Sequence, residues 1–196
     1  MIILASASPR RKELLEQIGC KFTVITSHAA EICDSGMQPQ ELVKKNAYFK
    51  AAAVAREHPE YPVLGSDTVV SLNGHIYGKP RDEEHAKEML KLFSGKTHQV
   101  ITGIAFVWKN QSWQAWETTE VVFSPLSLTE IDAYVATGEP ADKAGAYAIQ
   151  GRAAAFIKGI RGSYSNVVGL PLHCLDGLAR KAGIDLYGNG EGSSSR

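Results

Sequence analysis

The spacing of hydrophobic positions changes repeatedly along the chain, and the changes divide it into alternating strands and helices. MIILA (1–5) is uniformly apolar, the pattern of a strand buried on both faces. Leu14, Leu15 and Ile18 then recur at helical spacing. Ser8-Pro9 supplies an N-cap and a first helical residue, and Gly19 can close the helix in the left-handed conformation. KFTVIT (21–26) predicts a strand, and a helix is expected from Pro39 through the alanine-rich KAAAVA (50–55). YPVLGSDTVVSL (61–72) reads as a long apolar strand, which Asn73-Gly74 turns as a hairpin into HIYGKP (75–80). Asp82 caps a helix carrying Ala86, Met89, Leu90 and Phe93, ended by Ser94-Gly95. THQVITGIAFVW (97–108) and SWQAWETTEVVF (112–123) flank Lys109-Asn110 as a second hairpin, and a short helix around Ile131–Val135 stops at Gly138. The stretch 142–171 is punctuated by glycine and predicts short strands and tight loops. Pro171 opens a last helix through Leu178, and DLY (185–187) is expected as a final strand.

Hairpins mixed with helices point to an α/β protein built on a mixed sheet. The 196 residues show no internal repeat and no linker, so a single domain over 1–187 is expected, with the small, polar 188–196 as a disordered tail. Lys+Arg and Asp+Glu are both 21. That balance gives no support to a nucleic-acid-binding surface. No apolar run reaches the length of a membrane span, and the N-terminus lacks a signal-peptide pattern. Cys20, Cys33 and Cys174 have no metal-ligand spacing and are expected to be reduced thiols of a cytoplasmic protein.

Candidate chemistry lies where these patterns break. Arg10, Arg11 and Lys12 stand in the first turn of a helix, whose dipole favours acids there. Backbone N–H groups at a helix N-terminus and two guanidiniums would suit a polyphosphate; solvated cations are the alternative. If a ligand alone makes these cations tolerable, replacing Arg11 by Glu leaves the ligand-free protein no less stable. Asp67 interrupts an apolar strand, where a buried carboxylate needs a partner or a metal unless the position faces solvent. Glu31, Lys50 and Lys79 are each, alone, ordinary surface charges or phosphate and metal ligands. Gln150, beside a glycine, suits either a nucleobase edge or a loop. His98, near the start of a strand, is the one histidine kept in view. There is no P-loop, dinucleotide fingerprint, nucleophile elbow or zinc-spaced histidine pair. Two carboxylates, several cations and a helix-end anion site suit metal-assisted chemistry on a phosphate ester or anhydride.

The blocks LASASPRRKELL (4–15), GSDTVV (65–70), GKPRD (78–82), SGKTHQVITG (94–103), GEPADKAGAYAIQG (138–151) and GSYSNVVGLPL (162–172) resemble, in order, the motifs of the Maf family of nucleoside triphosphate pyrophosphatases. The resemblance implies a fold similar to inosine triphosphatases: a long twisted mixed sheet, flanking helices and a deep cleft between two lobes. It also implies a cytoplasmic homodimer that cleaves a nucleoside triphosphate to the monophosphate and pyrophosphate with Mg²⁺, or Mn²⁺ in its place. Arg10, Thr68 and Gln150 match the branch acting on dTTP and UTP, and often on modified pyrimidine nucleotides, rather than the branch acting on 7-methyl-GTP. By the same resemblance Ser6, Ser8, Arg10 and Arg11 bind the triphosphate, Lys50 and Lys79 complete the clamp, and Thr68 and Gln150 face the base. Asp67 is then the general base or water-positioning carboxylate, and Asp67 and Glu31 anchor the metal. Ala30 departs from the family, where many relatives carry an acid, leaving Glu31 as the carboxylate of its loop. A nucleotide-binding regulator of septum formation without turnover is the alternative function. Binding of structured RNA is a third reading, which the zero net charge opposes.

Overall fold

The computed structural model describes residues 1–32 and 36–188; Cys33 and most of the expected tail (189–196) lie outside the described residues. Its framework is a hairpin of two long strands, β5 (Thr97–Trp108) and β6 (Gln111–Phe123). Lys109 and Asn110 both adopt positive φ (49° and 60°), the turn whose twist matches that of the strands it joins. The first strands are β1 (Ile2–Leu4) and β2 (Phe22–Val24), and β3 (Val63–Leu72) runs antiparallel to β5. Asn73-Gly74 returns the chain into the short β4 (His75–Tyr77), and β7 (Ile157–Arg161) pairs with the end of β6. The seven strands form one mixed sheet in the order β2-β1-β3-β5-β6-β7, with β4 added on β3 and the β1 pairings parallel. The mixed α/β class is the expected one.

Two features of β3 create a cleft. The first is an open edge. β5 occupies one edge of β3 from Val63 to Ser71; on the other edge β1 pairs only at Val63–Leu64 and β4 only from Val70 onward. Between them, among the described residues, no strand covers positions 65–69. The second is side-chain alternation, which sends successive residues to opposite faces. Leu64 packs with α1 (Pro9–Gln17) and α6 (Leu172–Lys181), while Val70 and Leu72 pack with α3 (Glu83–Phe93) and α4 (Leu128–Val135). Ser66 and Thr68 share that face and fall in the gap between these two helix groups, which are the two expected lobes.

The opposite face carries α2 (Pro39–Ala55). This helix lies unusually close, because Gly65 and Gly103 offer no side chain. A Cβ at Gly65 would collide with the carbonyl oxygen of Ala47, and one at Gly103 with the backbone of Val43. Gly103 is the cross-strand neighbour of Asp67, so the helix is laid directly over the acid.

Two expectations change. DLY forms no strand: Leu186 enters the core, and the Asp185 carboxylate accepts from the backbone N–H groups of Tyr187 (2.8 Å) and Gly188 (3.0 Å). A side chain that satisfies local backbone donors competes with a ladder. Arg11 is the second. Its Nε donates to the carbonyl of Gly169 (2.8 Å), Nη1 to Ser6 Oγ (3.1 Å) and Nη2 to Thr68 Oγ1 (3.1 Å). Gly169 follows the short helix α5 (Tyr164–Val168), and its carbonyl also accepts from the buried Ser66 hydroxyl (3.1 Å). One guanidinium therefore joins α1, the end of β1, the middle of β3 and the α5–α6 joint.

Arg11 thus has structural partners without any ligand, and the expected stability of Arg11→Glu reverses. Each hydrogen bond to a charged group contributes about 1.5–3 kcal/mol, against about 0.3–1 kcal/mol gained by an acid at the helix N-terminus. Ligand-free Arg11→Glu should melt well below the parent protein. Lys12, exposed and joined among the described residues to Glu16 at 3.6 Å, should tolerate the same change within about 0.5 kcal/mol. Equal thermal melts for the parent and Arg11→Glu would disprove the staple.

Candidate active site

A cleft of about 600 Å³ opens over the notch in the β3 edge. Ser6, Ser8, Arg10, Arg11, Glu31, Lys50, Asp67, Thr68, Lys79 and Gln150 all line it. These residues come from six separate stretches of the sequence, and the fold gathers them around one space.

At its base Asp67, only 6% exposed, meets α2. Lys50 Nζ lies 2.6 Å from Asp67 Oδ1 and 2.7 Å from Glu31 Oε1, so one ammonium bridges both carboxylates. The other Asp67 oxygen accepts from Asn46 Nδ2 at 3.1 Å. Asn46 also holds the loop that delivers Glu31, accepting from the N–H of Ile32 (2.8 Å) and donating to its carbonyl (3.2 Å). Burial pushes the Glu31 carboxyl up, but the Lys50 hydrogen bond and the fields of Lys50, Lys79 and Arg11 outweigh it and leave the group below its ordinary value. Glu31 is therefore anionic at neutral pH. Among the described residues no group of three or more His, Cys, Asp or Glu could hold a metal by itself. Two hard carboxylates beside a polyphosphate-sized cleft nevertheless fit Mg²⁺, which usually takes one or two carboxylates together with substrate phosphates.

The rim nearest α1 is suited to anions. The first turn of this helix contains no acid, and Ser8, though at the N-cap position, makes no capping bond with its side chain. The helix N–H groups thus keep their attraction for an external acceptor. Burial lowers the proton affinity of Arg11 from its ordinary value, the Asp67 charge opposing it. An arginine remains a cation even so.

Thr68 is more committed than its sequence position suggests. Thr102 donates its single hydroxyl proton to the carbonyl of Asn166 (3.0 Å), so Thr68 is the donor in the 3.0 Å contact between the two threonines. Thr68 also accepts from Arg11, which leaves one lone pair. Gln150, also lining the cleft, is exposed.

Sequence reasoning missed Asn46 and the Asp142–Lys143 ion pair, which also lines the cleft. Asn46 had a signal: with Lys50 it forms a polar pair at i,i+4 on an otherwise apolar helix face. His98 lies outside the cleft. It is buried among Phe93, Phe123 and Tyr147, with Nε2 2.8 Å from the Tyr147 hydroxyl, and burial pushes it down to about 4. The described cysteines, Cys20 and Cys174, are free thiols.

Comparison with known proteins shows the family of the chain. The family model described as Maf-like protein matches residues 1–182. A dTTP/UTP pyrophosphatase of Bacillus thuringiensis subsp. konkukian (strain 97-27) is 49% identical over 185 residues, covering 94% of this chain and 97% of that one. A dTTP/UTP pyrophosphatase of Symbiobacterium thermophilum is 48% identical over 191 residues, covering 97% and 98%. Among solved structures, the Staphylococcus aureus Ham1 protein overlaps 62% of this chain and 71% of its own, with 17% identity and a TM-score of 0.47. From its first strand to its last helix, the chain belongs to the Maf family.

Proposed function

We propose that this protein hydrolyses dTTP and UTP to the monophosphate and pyrophosphate, clearing pyrimidine nucleotides, modified ones included, from the cellular pool. The observation that carries the reading is the convergence of Asp67, Glu31 and Lys50 on one point beside the α1 N-terminus. It occurs in a chain about half identical to proteins named for that activity. The family resemblance extends the proposal to a homodimer working in the cytoplasm with Mg²⁺ or Mn²⁺ and without nucleic-acid or membrane partners. Among the described residues no helix is long and apolar enough to cross a membrane.

The triphosphate lies along the α1 N-terminus, where backbone N–H groups, the hydroxyls of Ser6 and Ser8, and Arg10 meet its oxygens. Arg11 backs this surface from inside the fold, and its two remaining N–H donors are available to phosphate. Lys79 closes over the ligand from the turn after β4. A water molecule attacks the α-phosphorus. Asp67 orients it and accepts its proton, while Lys50 holds the Asp67 carboxylate in one orientation. The bond to the bridging oxygen breaks, and pyrophosphate leaves with the electron pair. Asp67 and Glu31 would hold the divalent cation, which when bound offsets the charge that develops on the leaving group. At the other end, Gln150 hydrogen-bonds the uracil or thymine edge, and a purine leaves that amide badly matched.

Initial rates over the nucleoside triphosphates with Mg²⁺, read as pyrophosphate released, test the proposal. dTTP and UTP should exceed ATP and GTP by more than about tenfold in kcat/KM. Equal turnover of ATP and UTP would refute the base assignment, and no pyrophosphate from any nucleotide would refute the reaction. For the chemistry, Asp67→Asn should lower kcat by about 10²–10⁴-fold, the range for a lost general base, while calorimetry still registers UTP binding. Near-normal hydrolysis by this variant would remove Asp67 from the mechanism.

A further inference from the structure

Gln150 is exposed on a tight turn, and the means by which that turn is held lie behind the cleft wall. The turn closes with the N–H of Gly151 donating to the carbonyl of Ala148 at 3.1 Å. Immediately after it, the N–H of Arg152 donates to Glu139 Oε2 at 3.0 Å. The other oxygen of Glu139 accepts from the hydroxyl of Tyr134, on α4, at 2.8 Å. The carboxylate lies flat against Gly151, where a Cβ would collide with both of its oxygens. Tyr134 is 3% exposed, and burial, with the Glu139 bond adding to it, raises its hydroxyl well above the ordinary range, so it remains a donor. On the near side of the turn, the Tyr147 hydroxyl is tied to His98 Nε2 at 2.8 Å. Farther back, the N–H of Gly145 donates to the carbonyl of Gly78 (2.9 Å), beside Lys79.

Gln150 therefore sits between two polar attachments, the buried one of Tyr147 to His98 and the more exposed one of Arg152 to Glu139. Gln150 and Tyr147 line the cleft; Tyr134, Glu139 and His98 do not. Selective reading of a base edge requires an amide held in one orientation, since a mobile side chain re-pairs with whichever edge is offered. A turn of four residues has no ladder of its own to supply that rigidity.

We propose that Glu139, held by Tyr134, is a positioning residue for base selection: it fixes the 148–151 turn so that Gln150 meets a pyrimidine edge, without itself touching substrate. The proposal rests on the pyrimidine reading above. Glu139 answers two donors with two acceptor oxygens. Glutamine at that position has one acceptor oxygen and turns an NH₂ group toward one of the donors.

The test compares the parent protein with Glu139→Gln and the milder Tyr134→Phe. The measurements are kcat and KM for UTP and ATP, and Ki for inorganic tripolyphosphate, which carries the phosphates without a base. For Glu139→Gln, loss of base positioning should raise the UTP KM by about fivefold or more and cut the preference for UTP over ATP by a similar factor. UTP kcat at saturation and the tripolyphosphate Ki should stay within about twofold of the parent, because interactions at the phosphate end are unchanged. Tyr134→Phe should move the same quantities in the same direction by less, and it decides the matter if Glu139→Gln does not fold. Unchanged UTP preference in the variants overturns the proposal. So does a tripolyphosphate Ki that weakens in parallel with the UTP KM, since that pattern is general damage to the cleft. A parent protein that does not prefer UTP over ATP defeats the pyrimidine reading itself, and this is known before any variant is compared.

Discussion

A single ammonium group, Lys50 Nζ, lies within hydrogen-bond distance of two carboxylates, one of them almost fully buried. Most of the architecture around it follows from keeping that arrangement possible. A desolvated carboxylate is tolerated only with a close counter-charge and its remaining oxygen satisfied. Lys50 supplies the first and Asn46 the second. Both come from α2, and they reach Asp67 because Gly65 and Gly103 let the helix backbone rest on the sheet. A side chain at either glycine would lift the helix and separate the ions. The same helix, through Asn46, fixes the loop that brings Glu31. The acid centre and the helix–sheet contact are thus one construction.

The cleft is equally a consequence of strand pairing. β1 and β4 share an edge of β3 without meeting, and the uncovered residues between them include Asp67 and Thr68. Alternation then sends Thr68 toward the gap between two helix groups and Asp67 toward α2. Arg11 stabilises the joint on the first of these faces by bonding to Ser6, Thr68 and Gly169. Its position in the first turn of α1 opposes the helix dipole, but three charge-assisted bonds outweigh that effect. The cation that local rules disfavour is held by its long-range partners, and it adds positive potential to the α1 rim of the cleft at the same time.

Much of this was legible in the chain. Asn73-Gly74 and Lys109-Asn110 mark both hairpins because their residues accept positive φ, and the long apolar runs around them could only be strands of a mixed sheet. Asp67 stood out as an acid inside such a run. What escaped was whatever depends on contacts distant in sequence. Arg11 looked like a pure ligand group because its acceptors lie up to 158 residues away. Asn46 shows in the sequence only as a polar partner of Lys50 at i,i+4, and its bonds to Asp67 and Ile32 exist only once α2 lies on the sheet. DLY has the composition of a strand, yet Asp185 satisfies the local backbone and the segment forms no ladder. Glu139 carried no local signal at all, since its partner at Arg152 is fixed only when the loop folds back.

If Lys50 is what makes a buried Asp67 tolerable, the two must be strongly coupled in the ligand-free protein. Denaturant melts at neutral pH of Lys50→Met, Asp67→Asn and the double variant measure that coupling. Removing Lys50 alone strands the Asp67 charge and should cost about 3–5 kcal/mol. Removing it in the Asp67→Asn background, where position 67 carries no charge to strand, should cost no more than about 1 kcal/mol. Equal losses in the two backgrounds would contradict the ion cluster as the organising constraint of the fold and its site.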